Sequence, residues 1–265
     1  MLQPVRLDTK SSIKLAGVLT DDPFTFGIRF LLKRGIAEAF ILGKPRKFVA
    51  AVVKPPWVPD EPFAIGTDAE AIWELLQRVQ GWYCVNVRMD LGPSVARVLE
   101  RELGLSTNIR GDVYFILQQP AVSHHHPAVR LLTSADAPLI DRAPPELRGG
   151  GYSSTVQMVT EGIAAGAVLD GRLISIMVMS AYSERYADIG GHTLESWRDQ
   201  GLGSAELYLV SQEAQARGLT PVWSTGEDNS QSQRVARKVG FHEFGRRSYV
   251  IVSMLKESGG FRPKS

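Results

Sequence analysis

The chain has 265 residues, 30 Lys+Arg against 28 Asp+Glu, a formal charge of +2 and 44% hydrophobic residues. That is the mix of a globular protein with ample chain for a sizeable core. Residues 1–125 carry 15 basic and 13 acidic side chains and residues 126–265 carry 15 and 15, so neither half is a basic module with a general electrostatic grip on nucleic acid. The single cysteine, Cys84, excludes an intramolecular disulfide and fits a reducing compartment.

The start, Met1 to Arg6, lacks the apolar core of a secretory signal. The best apolar runs, Phe48–Val53 and Leu173–Met179, have strand length and fall short of the roughly 18 residues that span a bilayer. A cytoplasmic protein without membrane association is expected. Asp22-Pro23 starts a helix over 24–34, and Gly35 ends it. Ala37–Leu42 and Phe48–Val53 flank Gly43-Lys44-Pro45-Arg46 and read as a hairpin. After the Pro-rich run 55–59, Asp68–Val79 is an amphipathic helix with Ile72, Leu75, Leu76 and Val79 on one face. Trp82–Val87 reads as a strand, Ser94–Leu103 as a helix and Val113–Leu117 as a strand.

Residues 118–127, with two prolines and His124-His125-His126, read as a linker. Adjacent histidines converge poorly on one ion and no partner at zinc spacing lies nearby, so no metal is expected. Ala128–Leu132 is a strand signal, and Thr133 with Asp136 makes a loose capping box. Ile163–Leu169 and Leu173–Met179 form a hairpin around Asp170-Gly171, a pair that favours a primed turn. Tyr186–Leu194 is a third strand, whose Gly190 and Gly191 suggest a bulge or the close approach of another backbone.

The segment from Trp197 to Ala205 carries the most information. Arg198-Asp199-Gln200-Gly201-Leu202-Gly203-Ser204 lies between that strand and a helical stretch, 205–216, whose core positions are Leu207, Leu209, Val210 and Ala214. Glycines at a strand-to-helix turn let the backbone approach a ligand. The unpaired N–H groups of the helix's first turn then point outward with the positive dipole end behind them, which suits a phosphate. The Gly-Lys-Ser/Thr of a Walker loop and the third glycine of the dinucleotide fingerprint are both absent. Next come a helix end and a further strand within 218–224, Asn229 or Asp228 as N-cap of a helix from Ser230 to Lys238 closed by Gly240, and a last strand, Arg246–Val252.

This constellation resembles the GNAT superfamily of acyl-CoA-dependent N-acyltransferases. Its pattern Gln/Arg-x-x-Gly-x-Gly/Ala matches Arg198, Gly201 and Gly203, the preceding strand matches the family's fourth, and Asn229 to Gly240-Phe241 matches its later Asn-capped helix. The resemblance covers about residues 128–253 and implies a mixed α/β (α+β) sheet flanked by helices. It also implies acetyl-CoA or another acyl-CoA as co-substrate. Backbone amides of Asp199, Gln200, Gly201, Leu202, Gly203 and Ser204, following Arg198, would hold the pyrophosphate. His192, Thr193 and Leu194 would pair with the pantetheine arm and polarise the thioester carbonyl, and Asn229 and Ser232 would contact that arm. The amine must lose a proton, and the candidate bases are Asp188, Glu184 and His192, each with a solvated, paired or core reading beside it. Many members carry an acidic-hydrogen Tyr seven residues after the Asn. Here that position is Ala236, which leaves Tyr186, Ser232, Ser230 or water to protonate the thiolate.

Domains are expected at 1–120, at 128–265 and a linker at 121–127. The first would be a smaller α+β domain and a degenerate relative of the same fold, its Asp90-Leu91-Gly92-Pro93 turn unable to bind pyrophosphate because Pro93 removes an amide. It would wall the acceptor pocket or mediate association, for example as a homodimer. The implied activity is acetyl transfer to a primary amine, with a small molecule as acceptor given the balanced charge. Beside it stand a non-catalytic acyl-CoA-binding regulatory module and a protein- or RNA-directed acetyltransferase.

Overall fold

The structure is a computed structural model that describes residues 2–263. The first half forms β1 (Pro4–Arg6), α1 (Thr9–Ala16), α2 (Phe26–Arg34), β2 (Glu38–Lys44), β3 (Lys47–Lys54), β4 (Phe63–Gly66), α3 (Ala69–Leu76), β5 (Cys84–Arg88), α4 (Gly92–Leu103) and β6 (Asn108–Ile116). The second forms β7 (Val129–Leu131), α5 (Ala137–Asp141), α6 (Thr155–Thr160), β8 (Ala164–Leu169), β9 (Arg172–Tyr182), β10 (Tyr186–Thr193), α7 (Leu202–Ala216), β11 (Thr220–Gly226), α8 (Ser230–Val239) and β12 (His242–Ile251), followed by α9 (Ser253–Glu257). Up to β12 the second series repeats the first element for element.

Two compact units result. One holds Met1–Thr20, Ile28–Val113 and Arg246–Ser265; the other holds Asp21–Gly27 and Tyr114–Gly245. The contacts therefore group 246–265 with the first unit, beside the sequence division at 120 and 128. Strand order in the first unit is β1-β2-β3-β4-β5-β12, and in the second β7-β8-β9-β10-β11-β6. Each unit takes five strands in chain order and completes its sheet with the last strand of the other series. The pairs β4–β5 and β10–β11 are parallel, while the hairpins on either side are antiparallel.

Local chemistry accounts for the elements. Asp170 (φ 49°) and Gly171 (φ 69°) are both left-handed, which makes the β8–β9 connection a primed turn. Asp68 caps α3 by accepting from the N–H groups of Glu70 and Ala71. The apolar face of α3 buries Ile72, Leu75 and Leu76 against Trp82, Val85 and Leu99. Helix α4 begins at Gly92, two residues before the expected start, because Pro93 lies in the first turn where a missing N–H is harmless. In the second unit Leu132, Ile140, Leu147, Ile176 and Val178 form a core cluster. Thr133 and Asp136 form the reciprocal capping box.

The bulge in β10 falls between Asp188 and Ile189, not at the glycines. Gly191 is the close approach instead: a Cβ there would lie 2.2 Å from the Ile176 carbonyl oxygen. The three histidines diverge. His124 bonds the Lys238 carbonyl, His125 pairs with Ser123, and His126 accepts the Ala128 N–H. Among the described residues no helix is long and apolar enough to cross a membrane.

Candidate functional site

Strands β10 and β11 pair over only three residues, from Tyr186↔Thr220 to Asp188↔Val222. The bulge follows at once. Past it, Gly191, His192 and Thr193 of β10 and Trp223 of β11 line a cleft of about 350 Å³. The parallel pair thus splays at its C-terminal end, and Asp188 is the last β10 residue before the opening.

One wall of the cleft is the turn into α7. Asp199 (φ 60°) and Gly201 (φ 85°) are left-handed, and the first intrahelical bond runs from the Ala205 N–H to the Gly201 carbonyl. Leu202, Gly203 and Ser204 therefore keep backbone N–H groups with no partner inside the helix, at its positive end. Arg198 fastens the turn to β10 by donating to the Thr193 carbonyl at 3.3 Å, and Gln231 donates to Asp199 at 3.2 Å. The facing wall is α8, which presents Gln231, Arg234, Val235 and Lys238 at helical spacing. Asn229 is occupied in capping α8, accepting the Ser232 N–H at 3.1 Å. Trp223 donates its indole N–H to the Ser232 hydroxyl at 3.0 Å, so this largely buried tryptophan both walls the cleft and fixes Ser232.

The cleft brings together His192, Thr193, Arg198, Asp199, Gly201, Leu202, Gly203, Ser204, Asn229 and Ser232. It does not include Leu194, whose side chain packs into the core, or the exposed Gln200. Residues the sequence reading did not assign also line it: Met177, Gly191, Trp197, Gln231 and Val235. Of the three cations on α8, Arg234 and Lys238 face the cleft, whereas Arg237 lies over the Phe115 ring. The 3.6-residue period separates them, since 231, 234, 235 and 238 share one side of the helix and 237 does not.

The three candidate bases differ in environment. Asp188 lies outside the cleft lining, at the vertex of the splay. Burial pushes its carboxyl above the ordinary aspartate value, opposed by the Ser180 hydroxyl that donates to Oδ2. Ser180 is itself held from outside: a Cβ on Gly151 (φ 91°) would sit 1.7 Å from the Ser180 carbonyl oxygen, so the 142–151 loop packs its backbone directly on this residue. Glu184 is exposed in the turn before β10. His192 lines the cleft beside the glycine turn. Ala236, at the position where a tyrosine was sought, is fully buried.

The first unit is built differently at the corresponding place. The turn that corresponds in topology to Arg198–Gly201 joins β4 to α3, so the expectation placed on Asp90–Pro93, one strand further on, is corrected to Gly66–Asp68. There the Asp68 carboxylate takes the helix N–H groups for itself. The parallel pair β4–β5 has a single register pair, Phe63↔Asn86, and the buried Arg247 of β12 bridges what would be the splay. It donates to the Ala64 carbonyl at 3.0 Å and to the Asn86 carbonyl at 3.3 Å, bonds the Asn86 side chain, and stacks 3.8 Å over the Phe63 ring.

A family model described as GNAT acetyltransferase matches residues 148–250. Residues 148–250 thus resemble the GNAT acetyltransferase family. Among solved structures, a Drosophila protein is similar over 100% of both chains, with TM-score 0.66 and 15% identity. A GCN5-related N-acetyltransferase-like protein from Streptococcus suis covers 91% of this chain and 98% of its own, with TM-score 0.67 and 16% identity. A tandem GNAT protein from the clavulanic acid biosynthesis pathway covers 94% of this chain and 98% of its own, with TM-score 0.58 and 13% identity. These identities speak to the fold, and the fold is the tandem GNAT arrangement along the whole chain. No curated protein matches the sequence.

Proposed function

We propose that the second unit is a GNAT domain that transfers an acetyl group from acetyl-CoA to the primary amine of a small molecule. The observation that carries this reading is the glycine turn: three N–H groups without a partner inside the helix, at the start of α7, border a cleft formed where β10 and β11 part. The residues suit such a co-substrate. Only Thr193 Oγ1 and Val235 Cγ1, each at 3.9 Å, approach the place a Cβ would take on Gly203, so the space beside the N–H groups is open. Arg198, Arg234 and Lys238 add positive charge around an anion site.

When bound, acetyl-CoA supplies an acetyl group activated as a thioester. The β10 edge freed from β11 offers main-chain N–H groups over 191–193 to pair with the arm and polarise the carbonyl. Asp188, at the vertex, takes the proton of the attacking amine, directly or through water. Its raised proton affinity makes it a stronger base once ionised. As the C–N bond forms and the C–S bond breaks, Ser232 is placed to give a proton to the thiolate, because its oxygen already accepts from Trp223 and its own hydrogen remains to donate.

Calorimetric titration with acetyl-CoA tests the reading. Micromolar binding by the intact chain, lost in a folded Gly203→Glu variant, supports it; absence of binding by the intact chain overturns it. Asp188→Asn should lower kcat by roughly 100-fold or more with little change in acetyl-CoA affinity, the usual scale for removing a general base. The residual rate should lose its rise with pH. A variant retaining near-normal kcat would remove Asp188 from this role. A second reading, a non-catalytic acyl-CoA-binding module, is favoured by the buried Ala236. Free-thiol release with a panel of amines separates the two.

A further inference from the structure

Glu206, in the second turn of α7, is fully buried, and its Oε1 meets no hydrogen-bond donor in ordinary geometry among the described residues. Its other oxygen accepts from Ser175 Oγ of β9 at 2.7 Å. Ser175 Oγ in turn lies 2.6 Å from Thr193 Oγ1 of β10 and 3.3 Å from the His192 carbonyl. Thr193 lines the cleft, and its hydroxyl is the polar side-chain atom nearest to the Cβ position of Gly203. Two hydroxyls therefore connect a buried carboxyl to the anion-binding turn.

Each hydroxyl carries one hydrogen, so the chain has two polarities. With Glu206 ionised, Thr193 donates to Ser175 and Ser175 donates to the carboxylate, and the cleft meets the lone pairs of Thr193. With Glu206 protonated, the carboxyl donates to Ser175, Ser175 to Thr193, and Thr193 turns its hydrogen outward. We propose that Thr193 is a phosphate-binding hydroxyl of the glycine turn and that Glu206, acting through Ser175, is the positioning residue whose proton sets it as a donor. This rests on the cleft taking a phosphate-bearing co-substrate.

None of the charged side chains on the elements packed against α7 acts on Glu206. Of the strands packed on α7, β8 and β11 bear no titratable side chain. On β7, Arg130 is paired with Asp136. β9 carries Arg172 and Tyr182, β10 carries Tyr186, Asp188 and His192, and α8 carries Arg234, Arg237 and Lys238. Burial raises Glu206 to about 8, opposed only by the Ser175 hydroxyl and the Ala167 N–H. The relay is thus set outward at neutral pH and reverses above it.

The test is calorimetric titration with acetyl-CoA at pH 7 and pH 9, in two buffers that differ in protonation enthalpy. Wild type should bind about tenfold more weakly at pH 9, with close to one proton taken up on binding there. Glu206→Gln, which keeps the geometry and cannot ionise, should lose both the pH dependence and the proton uptake. Thr193→Val, a cleft-wall change that leaves Glu206 in place, should bind more weakly at pH 7 and show no further loss at pH 9; it supplies the test should Glu206→Gln not fold. Wild-type binding that is indifferent to pH, or that shares its pH dependence with both variants, overturns the relay and leaves the co-substrate reading standing. No binding at any pH overturns both.

Discussion

Replacing Arg247 with methionine is expected to destabilise the protein by about 3–5 kcal/mol, lowering Tm by on the order of 10 °C. The guanidinium ties the carbonyls of Ala64 and Asn86 across a parallel pair that has one register contact, and it stacks on Phe63. Methionine matches the length but donates nothing, so two buried carbonyls and the Asn86 side chain lose a charged donor at once. The Asn86 amide, which also donates to the buried Asp112 at 2.9 Å, loses its fixed orientation. Scanning calorimetry of the whole chain reads the effect. A change in Tm below about 2 °C would mean that the guanidinium is not what closes the β4–β5 gap.

Glu206→Gln has the opposite sign and depends on pH. The folded chain holds the Glu206 proton up to about 8, whereas the unfolded chain releases it near the ordinary 4.5. Folding therefore takes up a proton between these values. The contribution to stability is fully present below 4.5, declines as pH rises, and is wholly lost above about 8. Glutamine never ionises and escapes the loss. The variant should match wild type near pH 4.5 and gain progressively, by a few kcal/mol (on the order of one per pH unit crossed), to a plateau above pH 8. Urea unfolding at several pH values measures the gap. A gap that stays constant with pH would show that the buried carboxyl does not titrate in this range.

What could be read from the sequence was what short-range chemistry decides. Asp170-Gly171 specifies its turn because two consecutive left-handed residues are required. Gly201, Asn229 and Gly240 mark helix ends for equally local reasons, and together they located the cleft. Arg234 and Lys238 were separable from Arg237 only once the helix phase was known. The buried polar groups were hidden for another reason. Glu206 sits four residues after Leu202 and before Val210 on the buried face of α7, so its periodicity pointed inward, but its composition suggested solvent. Ser175 lay unnoticed within an apolar strand. In the first half the sequence reading passed over β1, α1 and β4, and without β4 the anion-site equivalent was sought at Asp90–Pro93. Which strand-to-helix turn corresponds to the glycine turn is settled by strand order, and strand order is a long-range property.

The pairing of β12 with β5 also has a consequence for how the molecule comes to be made. Residues 247–251 lie against 84–88 in register, a separation of more than 150 residues along the chain. During synthesis β1 to β5 of the first unit emerge together with α1, α3 and α4, yet Arg247, which bridges β4 and β5, follows more than 150 residues later. The core of that unit must wait with an unpaired edge at β5 while the entire second unit is translated. Contacts of such long sequence separation slow the final folding step and prolong exposure of the incomplete sheet. Vectorial folding, in which one domain is finished before the next begins, is closed to this chain.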